Sequence, residues 1–101
     1  MKLVLCNAPQ AVAAELAKHL VEARYAACVN LVGPVRSIYR WDGACCDEEE
    51  MTLWIKVAAD RVDALREQLV EAHPYEVPEV LVLGVDEPLS HGPYLDWVRA
   101  Q

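Results

Sequence analysis

An α+β fold running strand, helix, strand, strand, helix, strand, with a short closing helix, follows from three observations along the sequence. Two stretches repeat apolar residues at the three- and four-residue spacing of a half-buried helix. Runs rich in β-branched and aromatic residues flank each of them. Midway along the chain Asp42-Gly43 separates two such runs, and both central positions of a type I′ hairpin turn require positive φ.

Lys2 to Asn7 is a short apolar run, the first strand, and Pro9 closes it in a position suited to a helix's first turn. From Pro9 to Arg24, Val12, Leu16, His19/Leu20 and Ala23 mark one buried face, with Glu15, Lys18 and Glu22 spaced for pairing at i to i+3 or i+4. Ala26 to Trp41 reads as a long strand that Gly33-Pro34 interrupts with a bulge or kink, because proline has no N–H for a central ladder. The chain turns at Asp42-Gly43 and returns from Ala44 through Met51 to Ala58. A two-residue turn sets Trp41 opposite Ala44, Ser37 opposite Glu48 and Arg36 opposite Glu49, which gives the acidic run Asp47 to Glu50 a cross-strand partner. Asp60 is placed to cap a second helix with Val62, Leu65, Leu69 and Ala72 on its apolar face and Asp63 in its first turn. His73-Pro74 ends that helix. Val80 to Val85 is a nearly continuous apolar run, expected as a strand packed on one or both faces. Ser90 to Ala100 closes the chain as a turn or helix whose Tyr94, Leu95, Trp97 and Val98 cap the core.

This order is the split arrangement of a ferredoxin-like βαββαβ antiparallel sheet with two helices on one face. The 101 residues suffice for one domain, 1–101. The two middle strands, about fifteen residues each, far exceed the usual length of about 5–6, so their hairpin projects beyond the sheet. Its tip carries Ile38, Tyr39, Arg40 and Trp41. An isolated apolar ribbon is marginal in water and open to edge pairing, so a closed homo-oligomer is expected, the hairpin of one chain lying against a neighbour's sheet.

A net charge of −7 with nine scattered basic residues excludes a surface that tracks nucleic-acid phosphates. No stretch approaches the ~18 apolar residues of a membrane span. Leu3-Val4-Leu5-Cys6 lacks the apolar h-region of an export signal, so a cytoplasmic protein with no membrane or nucleic-acid partner is expected, its cysteines reduced. Glycine occurs four times, never in a phosphate-cradling GxGxxG or GxxxxGK pattern.

The densest chemistry is His73-Pro74-Tyr75-Glu76-Val77-Pro78-Glu79, a stiff connector because each proline pins its own φ and extends the residue before it. His73 is held there beside Tyr75, Glu76 and Glu79, although no HxH, CxxC or HExxH spacing accompanies it. Cys28 offers a soft thiolate suited to Cu(I) or Zn(II). Cys28, His73 and Glu79 are side chains with the chemistry of metal ligands, although no spacing among them calls for an ion. A second use of the same region is a small-molecule cleft between subunits, with Lys56 as its cation, Tyr39, Trp41 and Tyr75 as walls, and Glu76 or Glu79 as acceptors. Cys28 with His73 is the sole thiol–imidazole pair that could serve catalysis, and no local signature supports that role, so no enzyme is expected. Cys45 and Cys46 are adjacent on a strand and point to opposite faces, which prevents them from chelating one ion. Cys6 reads as a small buried hydrophobe, and His19 and His91 as a helix-face and a loop residue. Asp47 to Glu50 alternate across a strand and do not converge as calcium ligands do.

Five stretches in order carry a resemblance: Ala26-Ala27-Cys28-Val29-Asn30, Ser37-Ile38-Tyr39-Arg40-Trp41-Asp42-Gly43, Ile55-Lys56, the connector His73 to Glu79, and Tyr94-Leu95-Asp96-Trp97. Together they resemble the CutA family of divalent-cation tolerance proteins over essentially the whole chain. The resemblance implies a stable ferredoxin-like homotrimer, similar in architecture to the PII signalling proteins. It also implies a cytoplasmic protein associated with tolerance to copper and other divalent cations and without established catalytic activity. No cofactor is obligatory on this reading; copper or another divalent cation is the implied ligand, and an unknown protein partner stays open. Ala44-Cys45-Cys46 departs from the polar residues more usual in the family at that point. Two functions follow: a metal-binding or metal-responsive trimer, and a PII-like sensor of a small metabolite in an intersubunit cleft.

Overall fold

The computed structural model describes residues 1–101. Strict alternation along two strands decides where the core lies. In β1 (Lys2–Ala8), Val4, Cys6 and Ala8 are buried; in β3 (Ala44–Val57), Leu53, Ile55 and Val57 are buried. Both sets meet helix α1 (Gln10–Glu22), through Ala13, Leu16, Ala17 and Leu20, and helix α2 (Val62–Ala72), through Leu65 and Leu69. These side chains form one cluster between a sheet face and two helices, each fully buried leucine contributing roughly 1.5–3 kcal/mol.

The sheet has the order β2-β3-β1-β4, with β2 spanning Cys28–Trp41 and β4 Leu81–Gly84, and every neighbouring pair is antiparallel. Strand β3 separates β1 from β2, the pair joined by α1, and β1 separates β3 from β4, the pair joined by α2. This is the split βαβ arrangement of an α+β sheet.

Pro9 is the residue before α1 and not within its first turn; its ψ of 140° delivers the chain to the helix from outside. The helix stops at Glu22, where Arg24 takes a left-handed φ of 63° and the N–H groups of Tyr25 and Ala26 both donate to the Leu20 carbonyl. No ion pair forms among Glu15, Lys18 and Glu22; the polar tie on that face runs to α2, where the Gln68 amide donates to His19 Nε2 at 2.8 Å. Asp60 does not cap α2. It lies inside a single 3-10 turn, Ala59–Arg61, that leads into the helix, and no side chain caps either element. The turn carries the chain round from β3 before the helix begins, so the capping position falls to Arg61.

The hairpin follows the expected register, with Trp41 opposite Ala44, Ser37 opposite Glu48 and Arg36 opposite Glu49. Asp42 and Gly43 turn it with φ of 50° and 76°. A bulge between Val32 and Val35 accommodates Gly33, whose φ is 139°, and Pro34. The ion pair, however, is diagonal. Arg36 binds Asp47 through two hydrogen bonds of 2.8 and 2.5 Å, not Glu49, because diagonal neighbours on a twisted ribbon lie within reach of a long side chain.

Two expectations about packing are corrected. Strand β4 is an edge strand whose apolar residues Leu81, Val82 and Leu83 are 54, 44 and 41% exposed, and it pairs with β1 along one edge only. Helix α3 (Gly92–Arg99) does not cap the main core. Its Leu95 and Val98 are buried outside that cluster, and it shares a hollow with Leu3, Trp54 and Lys56, the residues that alternate with the core-facing ones. It therefore lies on the opposite sheet face, tied down by Glu87, which accepts from Arg99 and from the Met1 amine.

Candidate functional site: a groove between hairpin and connector

Proline 74 ends α2 at His73, whose ψ of 139° sends the chain away extended. His73 is only 7% exposed and acts as a clasp. Its Nε2 donates to the Asn7 carbonyl at 2.7 Å, and its Nδ1 accepts the Tyr75 N–H at 3.1 Å. These partners require the neutral Nε2–H tautomer and leave neither nitrogen free. The imidazole also packs on the Tyr75 ring, with centroids 4.7 Å apart, so the connector is anchored to the end of β1 and its phenol is aimed at the hairpin.

There the Tyr75 hydroxyl donates to Glu50 Oε2 at 2.9 Å. Burial, and then the Glu50 carboxylate, push the phenol's pKa well above its ordinary value, so it remains a donor. Glu50 is 6% exposed and pairs with Val35, the first residue past the bulge. Two residues along β3 toward the hairpin tip, Glu48 accepts from the Tyr39 hydroxyl at 2.9 Å, and this bond chiefly pushes the Tyr39 pKa up to about 12. Between hairpin and connector lies an open groove of about 690 Å³, lined by Asn7, Ser37, Ile38, Tyr39, Trp41, Glu50, Pro74, Tyr75, Glu76, Val77 and Glu79. The lining holds three carboxylates and no basic side chain.

Tyr39, Trp41, Tyr75 and Glu76 thus meet in one groove, and Glu79 joins them. Lys56 does not. It lines the separate hollow of about 380 Å³ under α3, together with Leu3, Trp54, His91, Tyr94 and Leu95. Cys28 is the cross-strand partner of Lys56; burial first, and then the nearby Cys28 thiol, push the Tyr94 pKa up. Lys56 pairs with Leu3, four residues along β1 from the Asn7 that His73 grips, so Cys28 and His73 are separated by roughly 13 Å of strand. The set Cys28, His73 and Glu79 does not converge within one chain, and no group of three or more His, Cys, Asp or Glu side chains able to hold an ion occurs in it. Two ligands from different ends of a sheet cannot share an ion without a second subunit.

Glu50 and Asn7 were not among the residues expected here. Glu50 had a signal: it lies across from the Gly33-Pro34 bulge, and bulges re-aim nearby side chains. Asn7 enters through the position of β1's end, which only the folded chain defines.

Known proteins match this architecture throughout. The family described as CutA1 divalent ion tolerance protein matches residues 2–101. The divalent-cation tolerance protein CutA of Thermus thermophilus is 41% identical over 99 residues, 97% of this chain and 94% of that protein. The human protein CutA is 44% identical over 88 residues, and the matched part is 87% of this chain but about half, 48%, of the human protein. Among solved structures, the PII-like protein CutA from Nostoc sp. PCC 7120 in apo form superposes with a TM-score of 0.94 at 44% identity, covering 97% of this chain and 93% of that one. With a match of this extent across sequence and fold, the chain belongs to the CutA1 divalent ion tolerance protein family.

Proposed function

We propose that the chain serves divalent-cation tolerance as a cytoplasmic homotrimer that binds cations weakly, and that the groove between hairpin and connector is where it does so. The observation that carries this reading is the lining: Glu50, Glu76 and Glu79 with no Lys, Arg or His among them. Zinc takes four ligands and calcium six to eight, so three carboxylates that do not converge offer an incomplete shell. Weak binding follows, with the remaining ligands supplied by water or by a second subunit. A direct role for Cys28 and His73 in the same shell requires donors from different subunits and release of one His73 hydrogen bond. Association is supported by the exposed apolar residues of β4 and by Trp54, Tyr94 and Trp97, which are 42, 40 and 45% exposed. Binding, not catalysis, is the activity proposed. The four free cysteines fit a reducing cytoplasm.

A second reading is favoured by a specific observation. A groove of about 690 Å³ with three aromatic walls has the size and character of a small-molecule site, as a PII-like sensor of a metabolite would need. Calorimetry with Cu(I), Cu(II) and Zn(II) on the wild type, Glu79→Gln, Cys28→Ala and His73→Ala separates the two. Loss of metal binding in Glu79→Gln supports the groove as the metal site. Unchanged binding in all three variants removes these residues as ligands, and no binding in the wild type leaves the second reading.

A further inference from the structure

We propose that the groove is an organic-cation site, taking the ammonium or guanidinium end of a small aliphatic metabolite with Glu50 as buried counter-charge and Tyr39, Trp41 and Tyr75 as walls. The inference deepens the small-molecule reading of this groove and rests on it.

The argument begins with Glu50, which is 6% exposed yet forms no ion pair within the chain. Its Oε2 accepts one hydrogen bond, from the Tyr75 hydroxyl at 2.9 Å, and its Oε1 receives none from the protein. No buried polar side-chain atom of the chain lacks a partner, so this free Oε1 is open to solvent, and the one phenol beside it supplies a single donor and no charge. Glu50 lines the groove, so a cation entering it can reach that oxygen. Glu76 and Glu79 add negative charge along the same wall, and the chain's net charge of −7 reinforces the field. An anionic metabolite is disfavoured there.

The choice between a metal ion and an organic cation turns on geometry. A tightly held metal needs several donors converging at about 2.0–2.6 Å, and within one chain the groove offers a metal only the incomplete shell of a weak site. An ammonium or guanidinium needs one charge-assisted hydrogen bond to a carboxylate and the faces of aromatic rings around its methylene or planar surface. The groove supplies both, and the Tyr39 ring is held at its hydroxyl by Glu48 at 2.9 Å.

The test uses the intact assembled protein with putrescine and agmatine as cations, 1,4-butanediol as the uncharged counterpart of putrescine, citrate as an anion, and Zn(II) and Cu(II). Binding is followed by calorimetry and by the Trp41 indole N–H resonance. Putrescine or agmatine should shift that resonance while butanediol and citrate do not, and Glu50→Gln, which keeps an acceptor for Tyr75, should weaken binding at least tenfold. Trp41→Leu, on the exposed hairpin, should weaken it severalfold and serves if Glu50→Gln does not fold. Equal binding of butanediol, or preference for citrate, overturns the cation assignment but leaves the groove as a small-molecule site. No shift with any organic probe overturns both. Displacement of putrescine by a single equivalent of Zn(II) or Cu(II) overturns the organic assignment in favour of a metal. Failure of every cation to bind, with Glu50→Gln lowering the melting temperature of the assembly, assigns the counter-charge to a neighbouring subunit and overturns the proposal.

Discussion

His73 shows how a residue that attracts attention as a ligand can be a joint. Both its nitrogens hold backbone groups, the Asn7 carbonyl and the Tyr75 N–H, so its removal leaves an acceptor and a donor unpartnered. His73→Ala should therefore cost about 1–3 kcal/mol in urea denaturation. His73→Gln, with an amide able to reach the Asn7 carbonyl, should recover part of this loss; equal destabilisation by both variants would argue against the clasp. Cys6 is the opposite case, a thiol closed off within the core. It is fully buried, and burial first, then Glu79 and Glu50, push its pKa from 9.0 to about 12. The fold thus binds the thiol proton more tightly than the unfolded chain does. Stability from this group is complete below pH 9 and is lost as pH rises toward 12. Urea midpoints at pH 8 and pH 10.5 should fall in that order, and by less in Cys6→Ala. At pH 8 an alkylating reagent should modify exposed Cys45 in the native protein while Cys6 reacts only after unfolding.

The hairpin is the element on which the groove depends. Its register was readable because Asp42-Gly43 dictates a two-residue turn, and a turn of known length fixes every pair that follows up to the bulge. Gly33 is the point at which the two halves of β2 change register. At φ 139° a side chain is strained, and a Cβ there would lie 2.7 Å from the Val35 nitrogen and 3.2 Å from the Glu50 carbonyl. Gly33→Ala should destabilise the fold by roughly 1–3 kcal/mol, measured by denaturation. It should also disturb Tyr75 and Glu50 in NMR spectra before it disturbs the α1–α2 core. An unchanged midpoint would show that the bulge relaxes freely. What the pattern of the hairpin did not disclose is its diagonal chemistry: Arg36 reaches Asp47, and Tyr39 reaches Glu48, because twist brings non-opposed residues together.

For the whole molecule, the principal extents of 45 × 27 × 21 Å describe an elongated chain, with a ribbon of two 14-residue strands on a small sheet. The apolar run of β4 reads in one dimension as a buried strand, yet a single chain leaves it open at the sheet's edge. Exposed apolar residues along an unpaired edge invite a neighbour. If subunits associate there, Leu81→Glu with Leu83→Glu should reduce the mass by light scattering after size exclusion from a trimer to a monomer at micromolar concentration. A wild-type monomer under the same conditions would refute the trimer itself.

Local patterning was sufficient for the helices, the succession of strands and helices along the chain and the hairpin turn, since each rests on side-chain spacing or on glycine backbone freedom that acts within a few residues. It also placed Tyr39, Trp41, Tyr75, Glu76 and Glu79 at a cleft between subunits, whereas the groove that they line lies within one chain. The position of Lys56 under α3, the separation of Cys28 from His73, and the burial of Glu50 against Tyr75 were decided by the tertiary structure alone. Those facts depend on which sheet face each strand turns inward and on how far the ribbon bends past its bulge. They are long-range quantities, and no spacing in the sequence encodes them.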